Sequence, residues 1–144
     1  MATLLTGAFV FLLGYLVGAF PSAYLLTRLA RGTDIRTVGS RNPGAVNVYK
    51  EVAPWAGVAV LALDTAKGAA IVLAIGAADL GDFAMFLGAM AALIGHNWPA
   101  FLGFRGGKGV AVIFGLSIAV LPGWTLVSAG LSLLFGFATR NVIF

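Results

Sequence analysis

Leu4-Leu5-Thr6-Gly7-Ala8-Phe9-Val10-Phe11-Leu12-Leu13-Gly14-Tyr15-Leu16-Val17-Gly18-Ala19-Phe20-Pro21-Ser22-Ala23-Tyr24-Leu25-Leu26 carries no charged side chain. About 23 residues in a helix are long enough to cross a hydrocarbon core of roughly 30 Å. Gly7, Gly14 and Gly18 recur at helical spacing and form a small-residue stripe suited to close helix contact. Pro21 and Ser22 interrupt the far end, where a kink or widened turn is expected rather than a break. No basic segment precedes the apolar run, and Arg28 and Arg31 follow it. It therefore reads as a retained first span and not as a cleaved signal peptide.

The rest of the chain supports that reading. Of 144 residues 60% are hydrophobic and 10% charged, with a mean hydropathy of +1.01, whereas soluble domains carry about 25% charged residues. This is an all-α polytopic membrane protein in a single domain, residues 1–144. Cysteine is absent, which excludes disulfides and thiolate metal sites. One histidine and five acids argue against a structural metal, and no cofactor is expected. The net charge of +4 is clustered, so it speaks for membrane orientation and not for nucleic acid.

Thr27 to Val52 carries Arg28, Arg31, Arg36, Arg41 and Lys50 against Asp34 and Glu51. Such an excess of cations marks the cytoplasmic side and places the N-terminus outside. Asn42-Pro43-Gly44 is a turn signal. Ser40, Asn42 and Asn47 offer hydrogen-bonding side chains, either to a ligand or to an ordinary turn and helix cap. A second span runs from Ala53 to Gly76, with Asp64 and Lys67 on one helical face. Ionisable groups inside a span are costly and belong in the interior. They are either a self-neutralising pair or the wall of a polar pocket.

Asp79 and Asp82 mark an outside turn. Phe83 to Ile94 then returns to the cytoplasmic face. Val110 to Leu121 and Trp124 to Ala138 complete five spans, with Pro122-Gly123 between them and Arg140 inside. Eight of the nine cations then lie inside, Lys67 being the exception. One long kinked final span would instead place Arg140 outside, against the charge rule.

Between the third and fourth spans lies Gly95-His96-Asn97-Trp98-Pro99-Ala100-Phe101-Leu102-Gly103-Phe104-Arg105-Gly106-Gly107-Lys108-Gly109. It holds the one histidine, two of nine cations and five of twenty glycines. Glycines around a lysine let backbone amides converge on an anion. Arg105 and Lys108 suit phosphate, and His96 suits proton transfer near neutrality. The other reading is a basic loop that only fixes orientation.

Three segments together resemble the bacterial acyl-phosphate:glycerol-3-phosphate acyltransferases, the PlsY family. They are Asp34-Ile35-Arg36 with Gly39-Ser40-Arg41-Asn42-Pro43-Gly44-Ala45-Val46-Asn47, then Asp64-Thr65-Ala66-Lys67-Gly68, then Gly95-His96-Asn97-Trp98-Pro99 with Gly103-Phe104-Arg105-Gly106-Gly107-Lys108-Gly109-Val110-Ala111. The resemblance implies acyl transfer from acyl-phosphate to glycerol 3-phosphate at the cytoplasmic face of the cell (inner) membrane, giving lysophosphatidic acid. It implies neither metal nor acyl-carrier protein, and membrane lipid as the surroundings. An activated leaving group removes the need for a covalent nucleophile, leaving positioning and charge stabilisation.

By the same resemblance, Ser40, Asn42, Gly44 and Asn47 belong to a phosphate-binding loop, joined by Lys50; Lys67, as the wall of a polar pocket, is counted among the substrate-binding residues. Lys108, Arg105 and the amides of Gly106 and Gly107 hold the other phosphate, and His96 orients a substrate or relays a proton. Lys50 replaces a family arginine, and Val46 a family threonine. Family members run on for about two further helices, so the alternative expectation is a shortened chain that binds without catalysing. A small transporter is the third reading, but nothing in the chain suggests inverted repeats.

Overall fold

The computed structural model describes residues 2–139, and all the regular structure among them is helical. The expected cytoplasmic Arg140 lies outside the described residues. The helices are α1 (Ala2–Ala19), α2 (Ser22–Arg31), α3 (Ala45–Glu51), α4 (Pro54–Ala77), α5 (Asp82–Asn97), α6 (Val110–Val120) and α7 (Pro122–Thr139), with single 3-10 turns at Ile35–Thr37 and Ala100–Leu102. Three stretches are long and apolar enough to cross a membrane: Thr3–Arg31, Pro54–Ala77 and Asp82–Leu102. Val110–Val120 and Pro122–Phe135 are shorter apolar helices.

The first stretch corrects one expectation. Its helix is broken at Phe20 and Pro21, not merely kinked. Pro21 has no N–H to continue the ladder, and its φ of −90° and ψ of 61° turn the chain before α2 restarts. The Phe20 carbonyl then accepts the Ser22 amide at 3.0 Å and the Lys67 ammonium at 3.1 Å. A neighbouring helix thus satisfies the carbonyl that the break frees.

Small residues set the helix spacing. Gly14 of α1 faces Gly88 of α5, where an added methyl would stand 2.6 Å from the Gly88 oxygen. Gly18 abuts the Ala92 carbonyl and Gly95 abuts the Tyr15 carbonyl. Gly7, at the outer end, has room for a methyl at 3.6 Å from Leu87, so only two members of the stripe are needed for contact. The same device joins α4 to α6, with Gly68 on the Val112 carbonyl and Gly115 on the Thr65 carbonyl.

Beneath the seam, Val10, Ile71, Val72, Ile75, Ala84 and Ala92 form one apolar cluster. A second cluster of Ala23, Ile35, Val48, Val52, Ala56 and Val60 lies under the first loop. The stretch from Thr27 to Val52 is therefore no simple polar loop. Helix α2 continues to Arg31, α3 adds another helix, and Ile35 and Val48 are fully buried. That packing carries the loop back onto α2 and α4.

Candidate active site

At the break, α2, α4 and α5 bring four polar groups together. Asp64 Oδ1 accepts the Ser22 hydroxyl at 2.5 Å and pairs with Lys67 Nζ at 2.9 Å. His96 Nδ1 stands 4.0 Å from the same oxygen, beyond hydrogen-bond reach. Asp64, Lys67 and His96 are 2%, 8% and 8% exposed. The i to i+3 spacing places Asp64 and Lys67 on one face of α4, and the last turn of α5 delivers His96.

A cavity opens beside this group. Its wall includes Phe20, Pro21, Ser22 and Tyr24 from the break, Lys67, His96, Pro43 from the first loop, and Gly106 and Gly107 from the second. Gly107 packs against the His96 ring, where a methyl would collide with Nε2. Among the described residues no cluster of three metal-ligating side chains occurs.

The candidate residues divide. His96, Lys67, Gly106 and Gly107 meet at the cavity, and the Asn42-Pro43-Gly44 turn reaches it through Pro43. Ser40, Lys50, Arg105 and Lys108 are exposed, and none of the four lines it. Lys108 adjoins Gly107 in the chain. The amides of Gly106 and Gly107, expected as phosphate donors, instead donate to the Asn97 and His96 carbonyls, each at 3.1 Å. These glycines serve close approach: a side chain at either would strike the turn beneath it.

Asn47 is tied into its own loop. Its Oδ1 accepts the Ser40 amide at 3.0 Å, and its Nδ2 donates to the Val38 carbonyl at 3.1 Å and the Ile35 carbonyl at 3.4 Å. A buried amide engaged on both ends shapes the loop around Ser40: both Nδ2 protons are used and Oδ1 already accepts one bond. Gly44 precedes α3, with its amide on the Asn42 carbonyl at 2.9 Å.

Two ties hold the loops against the bundle. Arg36 Nη2 pairs with Asp34 Oδ2 at 2.7 Å, while its Nη1 donates to the Leu102 carbonyl at 2.6 Å and its guanidinium lies 5.5 Å from the Tyr24 ring centre. The Arg36 hydrogen bonds hold the Asp34 carboxyl below its ordinary pKa, and Asp34 in turn raises that of Arg36. Tyr15 donates its hydroxyl to the Trp98 carbonyl at 2.9 Å and accepts the Ala100 amide at 3.0 Å.

Ser22, Tyr24 and the Phe20 carbonyl are the functional groups that sequence reasoning missed. The Pro21 interruption was their only signal. It marked a disturbed helix, without showing that the disturbance would face Asp64 and Lys67.

Glycine-seamed membrane helices, a buried ion pair beside a helix break, and two loops folded over it define a polytopic membrane protein with an internal polar site. The family described as glycerol-3-phosphate acyltransferase matches residues 8–144, and the chain belongs to that family. It is 44% identical over 123 residues to glycerol-3-phosphate acyltransferase 5 of Dehalococcoides mccartyi strain 195, covering 85% of this chain and 53% of that one. Glycerol-3-phosphate acyltransferase 4 of the same strain is 45% identical over 133 residues, 92% of this chain and 71% of that one. The crystal structure of PlsY (YgiH), an integral membrane glycerol 3-phosphate acyltransferase in its glycerol 3-phosphate form, superposes with a TM-score of 0.83 at 33% identity. That superposition covers 91% of this chain and 66% of PlsY. The chain thus spans about half the length of the first of these relatives.

Proposed function

We propose that the chain transfers a fatty acyl group from acyl-phosphate to the 1-hydroxyl of glycerol 3-phosphate, releasing lysophosphatidic acid and inorganic phosphate. Family membership supports the reaction, and one observation supports its location: Lys67 and His96, both buried, line one cavity with Gly106 and Gly107 beside Lys108. In the reaction the glycerol oxygen bonds to the acyl carbon and the bond from that carbon to the phosphate oxygen breaks. The hydroxyl proton passes through His96 to the departing phosphate. Arg105, Lys108 and Lys50 supply positive charge for two phosphorylated substrates, while Lys67, paired with Asp64, shapes the polar wall of the pocket. Ser40, Asn42 and Gly44 form the first loop's contribution, with Asn47 holding its shape. The excess of cations on both loops supports a site on the cytoplasmic face of the cell membrane. It also favours five spans with the N-terminus outside.

The second reading is a PlsY-like module that binds acyl-phosphate without turnover; the matched segment covers 53% of the first relative. Purified protein supplied with acyl-phosphate and glycerol 3-phosphate distinguishes the two. Lysophosphatidic acid should form, and should fall steeply in Ser40→Ala, His96→Ala and Lys108→Ala proteins that remain folded. Binding with turnover at background would select the second reading. A folded chain that does not bind acyl-phosphate would sink both.

A further inference from the structure

The helix break exposes two donors that the reaction above does not use. A helix begins with amides that have no intrahelical acceptor. In α2, the Ser22 amide reaches the Phe20 carbonyl at 3.0 Å and the Leu25 amide reaches the Pro21 carbonyl at 2.9 Å. The Ala23 and Tyr24 amides, between them, donate to no protein acceptor among the described residues, and no side chain caps this end. Both residues line the cavity. Helix N–H groups point back toward the helix start, which here is the cavity side.

A second, independent observation marks the same place as a ligand seat. The His96 ring is 8% exposed, lines this cavity and makes no hydrogen bond among the described residues. Its Nδ1 stands 4.0 Å from the Asp64 carboxylate. Lys67 adds a third feature. Of its three protons, the contacts to Asp64 and the Phe20 carbonyl use two.

We propose that the Ala23 and Tyr24 amides form an oxyanion hole for the carbonyl oxygen of the acyl donor. This rests on the acyl-transfer reading above. Asp64 and Lys67 cancel each other, so the seat carries no fixed net charge to hold a phosphate dianion. Paired amides instead favour an oxygen whose charge appears only as the reaction proceeds. When the glycerol hydroxyl adds to the acyl carbon, the carbonyl π pair moves onto that oxygen and is met by the two N–H groups. Return of the pair expels phosphate, which takes the proton carried by His96.

The test replaces the Tyr24 peptide amide by an ester, using the α-hydroxy analogue of tyrosine, so that the side chain is kept and one N–H is lost. The same replacement at Leu25, whose amide is already paired with Pro21, is the control. Two readouts apply: turnover, and the carbonyl stretch of a non-transferable acyl-phosphonate labelled with carbon-13 at the carbonyl. The Tyr24 ester should lower kcat by roughly 100- to 1,000-fold with little change in KM. It should also abolish the red shift of the bound carbonyl, while the Leu25 ester does neither. Unchanged kcat and stretch in the Tyr24 ester, or equal losses in both esters, would overturn the proposal. In a chain that binds the probe without turning over, the stretch alone decides. A bound but unshifted carbonyl in the unsubstituted protein defeats the oxyanion hole only. No binding of the acyl-phosphonate defeats the acyl-transfer reading, and the hole with it.

Discussion

Lys67 and Phe20 are joined across 47 residues of chain, side-chain ammonium to main-chain carbonyl, at 3.1 Å. One buried cation thereby neutralises Asp64 and binds the main-chain carbonyl freed by a break in a membrane helix. The ion pair and the break are therefore one structural unit. Changes at either should be felt at both.

Removing one partner of a buried pair leaves the other charge uncompensated. Lys67→Met should destabilise the protein by about 3–5 kcal/mol, measured as detergent-solubilised thermal unfolding. Adding Asp64→Asn should recover a substantial part of that loss. A double variant no better than Lys67→Met would mean the damage comes from the Phe20 carbonyl instead.

The glycine seam gives a graded expectation. Gly18→Ala and Gly95→Ala place a methyl on a backbone carbonyl of the facing helix, and each should cost roughly 1–3 kcal/mol. Gly7→Ala meets only Leu87 at ordinary contact distance, and should be neutral or slightly stabilising because glycine is the weaker helix former. Equal melting temperatures for all three would refute the close-packed seam.

The pH dependence of the first loop follows from Asp34. Its folded pKa lies below the ordinary 3.8, so the stabilisation is present above pH 3.8 and lost as pH falls through the folded value. Asp34→Asn should lower the unfolding midpoint at pH 7, and the difference from the unsubstituted protein should close at acid pH. A difference that is the same at pH 7 and below the folded value would exclude the carboxylate as its source.

Much of this was readable beforehand. The three long apolar stretches follow from hydropathy, and the contacts of Gly14 and Gly18 from their spacing. Asp64 and Lys67 on one helical face could only pack inward. Contacts that depend on tertiary approach were not readable. The Arg36 bond to the Leu102 carbonyl spans 66 residues and leaves no periodic trace. A glycine next to a lysine looks alike whether its amide greets an anion or the His96 carbonyl. Asn47 was indistinguishable from a ligand-binding asparagine until its own loop was seen to engage both ends of its amide.

The exposed cations are separable by function. Lys108→Ala should weaken acyl-phosphate binding about ten- to a hundred-fold, the equivalent of a charge-assisted contact worth roughly 1.5–3 kcal/mol. Arg31→Ala should have little effect. Small, equal losses at both positions, in direct binding assays, would reduce the loop cations to setting orientation.

Orientation has its own measurement. Because the native chain has no cysteine, single Ser40→Cys and Asp79→Cys substitutions can be probed in intact cells with an impermeant maleimide. Asp79→Cys should label and Ser40→Cys should not. The reverse pattern would invert the protein in the membrane.

The ties at the break also impose an order on synthesis. Ser22 is 42 residues ahead of Asp64, Phe20 is 47 ahead of Lys67, and Tyr15 is 83 ahead of Trp98. A ribosome delivers the first span to the insertion machinery before the second and third spans have emerged from it. The newborn helix must therefore wait with its interruption unsealed, sheltered by the translocon or by water at the bilayer surface. Arrival of the second span closes the interruption, and arrival of the third fastens the Tyr15 hydroxyl. The site is thus completed only when the third span and the loop after it arrive, although its first residues are among the earliest made.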